Sequence, residues 1–338
     1  MVPGRRGHAL ETRYVIESPS VSHYVWRDCP LKVYVGVPRG FCAGVVRAID
    51  VVELALKKAG SPVYVKHQIV HNPYVVNSLE DKGAITVEDV EEVPEGSTVV
   101  FSAHGSPPED FKKAKSRGLE VIDATCPLVT KVHNEATKYS AEGRRMILVG
   151  HRGHQEVKGT MGQTSMALVD DEEGVEVPDW DADTPVAVLT QTTLSVADTR
   201  RSIESIQERF SNVIVRNDLC YATTNRQAAV DKLCHLVDLV LVIGAPNSSN
   251  CNRLRDVAEA NGVTAYLING PAELDTSWLT GVDTVGITSG ASTPELLVQE
   301  VIKALEPEEV VPVEGTEEDV TFVLPKELRE ERPQGAKD

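Results

Sequence analysis

Short apolar runs alternate with longer segments of helical periodicity along most of the chain, beginning at Lys32. The run Lys32-Val33-Tyr34-Val35-Gly36-Val37 predicts a strand, since it is β-branched and alternating. It passes through Gly40-Phe41-Cys42 into a helical pattern with Val45, Ile49, Val52 and Leu56 on one face. Lys57 and Lys58 occupy the last turn and Gly60 supplies the stop. A second strand follows from Pro62 to Val65 or Val70 and ends at His71-Asn72.

The same order of features returns twice, at intervals of roughly ninety residues. In the second copy, strand Leu119 to Ile122 leads through Thr125-Cys126-Pro127 to a helix carrying Leu128, Val132, Ala136 and Tyr139 up to Gly143. Pro127 suits a first helical position. The next strand, Met146 to Val149, ends in Gly150-His151-Arg152-Gly153-His154-Gln155-Glu156. The third copy has strand Asn212 to Val215, then Leu219-Cys220-Tyr221, a helix through Ala229, Leu233 and Leu236, and Leu239 to Ile243 ending in Asn247-Ser248-Ser249-Asn250. The copies stay in register: 29 residues separate Cys42 from His71, and 28 separate both Cys126 from His154 and Cys220 from Ser248. Each adds one more strand with a polar loop, ending at His104, at Thr192-Thr193 and at Ser292. Ser195 to Asp198 and Ser292 to Glu295 have the spacing of capping boxes.

Strands alternating with helices predict an α/β fold with mainly parallel sheets, in which functional residues gather where strands end and helices begin. Three similar small α/β units are therefore expected around a pseudo-threefold axis, with one cysteine and two polar loops from each lining a central cluster cavity. The expected divisions are an N-terminal extension at 1–30, a strand at 31–43 that joins the third unit or opens the first, and units at 44–125, 126–216 and 217–305. An acidic C-terminal segment at 306–338 completes the chain. This segment and Glu88 to Glu95 are expected to be solvated surface, with the tail after Arg329 flexible.

Composition narrows the function. The 338 residues carry a net charge of -17, which disfavours nucleic-acid binding, and no basic stripe offsets it. No apolar run reaches the ~20 residues that span a bilayer. Residues 1–30 have neither the apolar core of a secretory signal nor the Ser/Arg-rich, acid-poor character of a transit peptide. A cytoplasmic protein without membrane attachment is expected. Six cysteines in so long a chain are too sparse for a disulfide scaffold.

Cys42, Cys126 and Cys220 stand at equivalent positions near helix starts, where the helix dipole favours thiolate. Three thiolates suit an iron-sulfur cubane with one iron left open as a Lewis acid for a substrate oxygen, whereas lone cysteines more often pack as small hydrophobes. Cys29 lies in the extension and Cys234 on an apolar helix face, so neither receives a role. Cys251 follows the polar loop, beside the cavity or packed at a helix start. The loops offer His71, His104, His154, Thr192, Thr193, Ser248, Ser249, Asn250 and Ser292, donors that with helix N-termini suit a phosphate or diphosphate, although Ser292 could simply cap a helix. Two glycines around His151 argue against a zincin-like pair of ligands. Glu156 is the one carboxylate in these loops, and burial would keep it protonated near neutrality as a proton donor.

Several motifs go beyond the repeat: Arg-Gly-Phe-Cys-Ala-Gly-Val at 39–45, Ala-Thr-Cys-Pro-Leu-Val-Thr-Lys-Val-His at 124–133, Gly-His-Arg-Gly-His-Gln-Glu-Val at 150–157, Thr-Gln-Thr-Thr-Leu-Ser at 190–195, Cys-Tyr-Ala-Thr-Thr-Asn-Arg-Gln at 220–227 and Asn-Ser-Ser-Asn at 247–250. Over about 31–329 the chain resembles the 4-hydroxy-3-methylbut-2-enyl diphosphate reductase family, which ends the methylerythritol phosphate route to isoprenoids. The resemblance implies one 4Fe-4S cluster on Cys42, Cys126 and Cys220, with an open iron for the substrate hydroxyl. It implies that His71, His104, His154, Ser248, Ser249, Asn250 and Ser292 bind the diphosphate, with Thr192 at the substrate, and that Glu156 and Thr192 organise protonation. A ferredoxin or flavodoxin type of electron donor is implied as partner.

Val46, Gln155 and Cys251 stand where the family usually has Asp, Pro and Ser, and Ser106-Pro107 replaces its usual Val-Ser after His104-Gly105. All four departures neighbour assigned residues. Two other readings compete: a paralogue acting on a different allylic diphosphate, and a non-catalytic iron-sulfur redox sensor. A pure electron carrier would close its cluster with a fourth ligand.

Overall fold

The computed structural model describes residues 31–170 and 173–329, so Cys29 and the extension at 1–30 lie outside the described residues. The chain opens with β1 (Lys32–Gly36) and enters α1 (Ala43–Ala59) at Cys42. It continues through β2 (Val63–Lys66), α2 (Pro73–Glu80), β3 (Ala84–Val87), β4 (Thr98–Phe101), α3 (Pro108–Ser116) and β5 (Glu120–Asp123). After Cys126 come α4 (Pro127–Ala141), β6 (Arg145–Val149), α5 (Gln155–Met161), β7 (Met166–Val169), β8 (Val186–Thr190), α6 (Val196–Arg209) and β9 (Val213–Val215). After Cys220 come α7 (Tyr221–Cys234), β10 (Leu239–Ile243), α8 (Ser249–Ala260), β11 (Thr264–Ile268), β12 (Thr284–Ser289), α9 (Glu295–Leu305) and β13 (Glu309–Val313).

These strands form three separate parallel sheets, ordered β3-β2-β4-β5, β7-β6-β8-β9 and β11-β10-β12-β1-β13. The three orders are the same if β1 fills in the third sheet the place that β5 and β9 fill in the others. It does so by pairing Lys32 with Thr284 and Val33 with Val285, although it comes from the opposite end of the chain. Each cysteine therefore follows the strand at which the chain leaves one sheet, and each cysteine opens the helix that begins the next. The α/β architecture expected from the sequence is the one observed.

Helices on both faces explain the near-continuous apolar strands: every residue of β8 and β10 is buried. One core packs α1 and α2 on the first sheet through Val51, Val52, Val65 and Leu79, and others serve the second and third sheets. Among the described residues no helix is long and apolar enough to cross a membrane.

Of the two ends expected for the strand after α1, the nearer one holds: β2 stops at Lys66, one residue past Val65, since His67 takes a φ of 59° and turns the backbone. One expectation needs correction. The acidic C-terminal segment is not merely solvated: 309–313 form β13, Leu324 and Leu328 pack on the first core, and Glu318 pairs with the buried Arg226. Apolar residues interleaved with these acids supply the anchoring that net charge conceals.

Leu241 in β10 is fully buried. Truncating it by Leu241→Ala removes packing on a central strand and is expected to destabilise the protein by about 2–5 kcal/mol, read as a lower midpoint in urea unfolding.

Candidate active site

The three inter-unit junctions bring Cys42, Cys126 and Cys220 to the wall of one cavity. Each is the N-cap of its helix. Gly44 lets two of them approach: a Cβ there would stand 2.8 Å from Cys126 Sγ and 3.7 Å from Cys42 Sγ, so only glycine fits between them. Cys220 Sγ accepts from Thr223 N at 3.4 Å.

The helix dipole does not by itself make thiolates of Cys126 and Cys220. Burial pushes the Cys126 thiol up to about 12, and neighbouring Cys42 and Cys220 add to the rise. Burial likewise lifts Cys220 to about 11. Desolvation outweighs the helix start, which corrects the sequence expectation. With no Lys or Arg in the cavity wall, thiols raised in this way need another cationic partner to ionise, as metal coordination supplies. Among the described residues no three His, Cys, Asp or Glu side chains converge tightly enough for a single metal ion. The donor set fits a polynuclear iron-sulfur cluster, which holds its ligands farther apart and prefers thiolates.

The polar strand ends share the cavity with the thiols. His71, His104, His154, Thr192, Thr193, Ser248, Ser249, Asn250 and Ser292 all line the same cavity. The His71 and His104 rings stack with centroids 4.1 Å apart, and His154 stands edge-on to His71 at 5.5 Å. Burial drives His71 down to about 4, His154 to about 3 and His104 well below the ordinary imidazole value. Near neutrality the cluster of rings is uncharged, and each offers one N–H donor.

Two loops solve the same helix-start problem with different chemistry. His154 caps α5, accepting from Glu156 N through Nδ1, while Ser248 caps α8. The residue two places on is Glu156 in one helix and Asn250 in the other, and both are buried. Glu156 is fully partnered: its carboxyl accepts from Thr192 N at 2.6 Å and from Thr192 Oγ1 at 2.9 Å. Burial raises it from 4.5 to about 7 even though both bonds from Thr192 oppose the rise. Asn250 has neither amide atom partnered in the protein, so both its donor and its acceptor are open to a ligand in the cavity.

Ser292 does not cap a helix, against the capping-box spacing. Pro294 is the N-cap of α9, and Ser292 Oγ donates instead to His71 O at 3.0 Å, joining third and first units. Ser195 does cap α6, accepting from Asp198 N. Cys251 lies behind the cavity in the third unit's core, its sulfur packed against Gly244 and Gly290, and Cys234 packs at the edge of that core.

Sequence reasoning missed Gln191, Tyr221 and Phe322. Gln191 Nε2 donates to Thr193 Oγ1 at 2.8 Å and Ser249 Oγ at 3.2 Å, linking second and third units. Its place in a polar run at a strand end was the available signal. Tyr221 Oη accepts from Ala43 N at 3.2 Å and Phe322 closes the cavity wall. Nothing in the periodicity of the C-terminal segment marks Phe322.

Fold and site together define a class: three-lobed parallel α/β proteins with one cysteine from each lobe in a shared cavity. The chain belongs to the LytB protein family, which it matches over residues 33–306. Enzymes of this family are iron-sulfur proteins. The chain is 52% identical over 306 residues to the 4-hydroxy-3-methylbut-2-enyl diphosphate reductase of Zymomonas mobilis, covering 88% of this chain and 90% of that one. It is 53% identical over 305 residues to reductase 2 of the same name from Bradyrhizobium diazoefficiens, covering 88% and 99%. The solved structure of the E-1-hydroxy-2-methyl-but-2-enyl-4-diphosphate reductase from Plasmodium falciparum superposes with a TM-score of 0.82 at 35% identity, covering 89% of this chain and 97% of that one.

Two measurements check the electrostatics. Because the folded value of Glu156 lies above its ordinary one, the stability it contributes is complete below pH 4.5 and is lost as pH rises through about 7. Glu156→Gln is expected to flatten that loss, about 3 kcal/mol, in urea unfolding across the window. Inorganic pyrophosphate should take up protons on binding near pH ~6, since its charge raises the depressed imidazoles; calorimetry in buffers of different ionisation enthalpy reads the uptake.

Proposed function

We propose that this protein reductively removes the hydroxyl of (E)-4-hydroxy-3-methylbut-2-enyl diphosphate, giving isopentenyl and dimethylallyl diphosphates in the last step of the methylerythritol phosphate pathway. The observation that carries the reading is one buried acid, Glu156, in the same cavity as three thiols and a ring of neutral hydrogen-bond donors. The names of the relatives, matched over most of this chain, support the substrate. The unit divisions at 44–125, 126–216 and 217–305 belong to the proposal and are supported by the three separate sheets.

Cys42, Cys126 and Cys220 would hold one 4Fe-4S cluster. When bound, such a cluster supplies electrons received from a ferredoxin or flavodoxin type of donor and a Lewis-acidic iron without a protein thiolate. The diphosphate is held by His71, His104, His154, Ser248, Ser249, Asn250 and Ser292, whose donors converge from all three units. Their starting neutrality has a consequence: a tri- or dianion entering this dry cavity strengthens each N–H bond and favours ring protonation. Holding that end fixes the allylic hydroxyl toward the thiols.

Glu156, with its value near 7, keeps a large protonated fraction at neutral pH and can give that proton to the departing hydroxyl. Thr192 holds the carboxyl through two bonds and so fixes which way the acid points. The balance is two electrons and two protons in; the C–O bond breaks, one proton leaves with the oxygen as water and the other forms a new C–H bond. Placing the acid where solvent is excluded also keeps the reducing equivalents from protons in bulk water. A cytoplasmic site of action, without membrane or nucleic acid, completes the proposal.

Anaerobically purified protein is expected to turn over the hydroxymethylbutenyl diphosphate with reduced viologen. Glu156→Gln should lower the rate by about 10²–10⁴-fold while iron content stays at the wild-type level. Cys126→Ser should lose iron as well as activity. Wild-type protein with a full iron complement but no product would reject the reading.

A further inference from the structure

We infer that the segment from Glu314 to Arg329 is a strap, clamped by Arg47 and Arg226, that closes the thiol side of the cavity and retains the metal cofactor; this rests on the three-thiol reading above. After β13 the chain crosses from the third unit to the first. Gly315 passes so close to the turn after β1 that a Cβ would stand 1.9 Å from Val37 O, a path open only to glycine. Further along, Leu324 and Leu328 pack on the first core and Lys58 Nζ donates to Glu327 O at 2.7 Å.

Between these anchors two arginines do equivalent things. Arg226 lies in the second turn after Cys220 with its side chain fully buried. It donates to Gly40 O at 2.7 Å, just before Cys42, and to the Glu318 carboxylate of the strap at 2.9 Å and 3.3 Å. Arg47 lies in the second turn after Cys42. It donates to Thr125 O at 3.1 Å, just before Cys126, and to Val323 O of the strap at 2.8 Å. Each guanidinium thus joins the helix behind one cysteine, the turn ahead of the next and the strap. No simpler side chain has the forked donors for three such partners.

The strap's own contribution to the wall is Phe322. Phe322 and Tyr221 line both the thiol cavity and an outer cavity of about 230 Å³ between α1 and the strap. They are the partition between the thiols and that outer space. Lifting the strap would open the partition and strand the Arg226 charge in the interior without its carboxylate, so the clamp holds the strap down by the desolvation cost of an unpaired buried cation. Arg47, Arg226 and Glu318 are positioning residues in this account; Phe322 is the shield.

The test is iron release from the anaerobic full-length holoprotein to a strong chelator, followed by absorbance. Glu318→Gln and Phe322→Ala should each release iron about tenfold faster or more, and Phe322→Leu should restore most of the wild-type rate. Amide exchange in 316–325 should quicken in Glu318→Gln while the amides of β10 keep wild-type protection, which a general loss of stability would not reproduce. Variants that carry the cluster and release iron at the wild-type rate would overturn the strap. Wild-type protein that binds no iron would overturn the three-thiol reading and the strap with it.

Discussion

The pairing of β1 with β12 is the constraint on which the site depends. Two of the three cysteines would sit at unit junctions in any chain that simply ran through three α/β units in succession. The third does so only because the first strand is inserted in the last sheet, between β12 and β13, so that Cys42 leaves the third unit as Cys126 leaves the first and Cys220 the second. A linear chain thereby becomes a closed ring of units. Ring closure turns three sequence-distant thiols into neighbours, with Gly44 providing the space.

Burial then sets the charge of most titratable groups in the cavity. The same desolvation that pushes Cys126 and Cys220 up also holds three imidazoles neutral and brings Glu156 near 7. These shifts have opposite signs on acids and bases but one cause, the cost of placing a charge in low dielectric. A cavity whose own groups are mostly uncharged is suited to receiving a cationic cofactor at one end and an anion at the other.

Legibility in the sequence followed from how local each feature is. The repeat was readable because strand, cysteine, helix and polar loop recur at fixed spacing, and the strands buried on both faces are apolar throughout. Glu156 was readable as the lone acid in a set of neutral loops. Ser292 misled because capping-box spacing is a local signal, while its actual bond to His71 O spans 221 residues. The fate of Cys251 depended on the glycines that receive its sulfur from two other strand ends. The acidic tail misled for a related reason: Glu318 is visible as a charge, but its buried partner Arg226 is known only when the fold joins them.

The pseudo-threefold frame is symmetric only as far as the thiols, and the proposed reaction draws on the asymmetry beyond them. At the second residue of α5 and of α8 the chain places Glu156 and Asn250, equivalent in position and opposite in state. The acid is held by Thr192, and in the proposed reaction it is the group that delivers a proton. The amide, with its donor and acceptor both unpartnered, is open to a ligand. In α2 the corresponding residue is Tyr74, half exposed and outside the cavity, so the first unit contributes rings but no polar group from that helix position. Exchanging Glu156 and Asn250 would keep composition and burial yet put the acid where nothing donates to it from a Thr192 equivalent. A scaffold that repeats three times thus converges its thiols by symmetry and, by breaking that symmetry, sets a partnered acid apart from an unpartnered amide, the separation that the proposed reaction uses for proton delivery and anion binding.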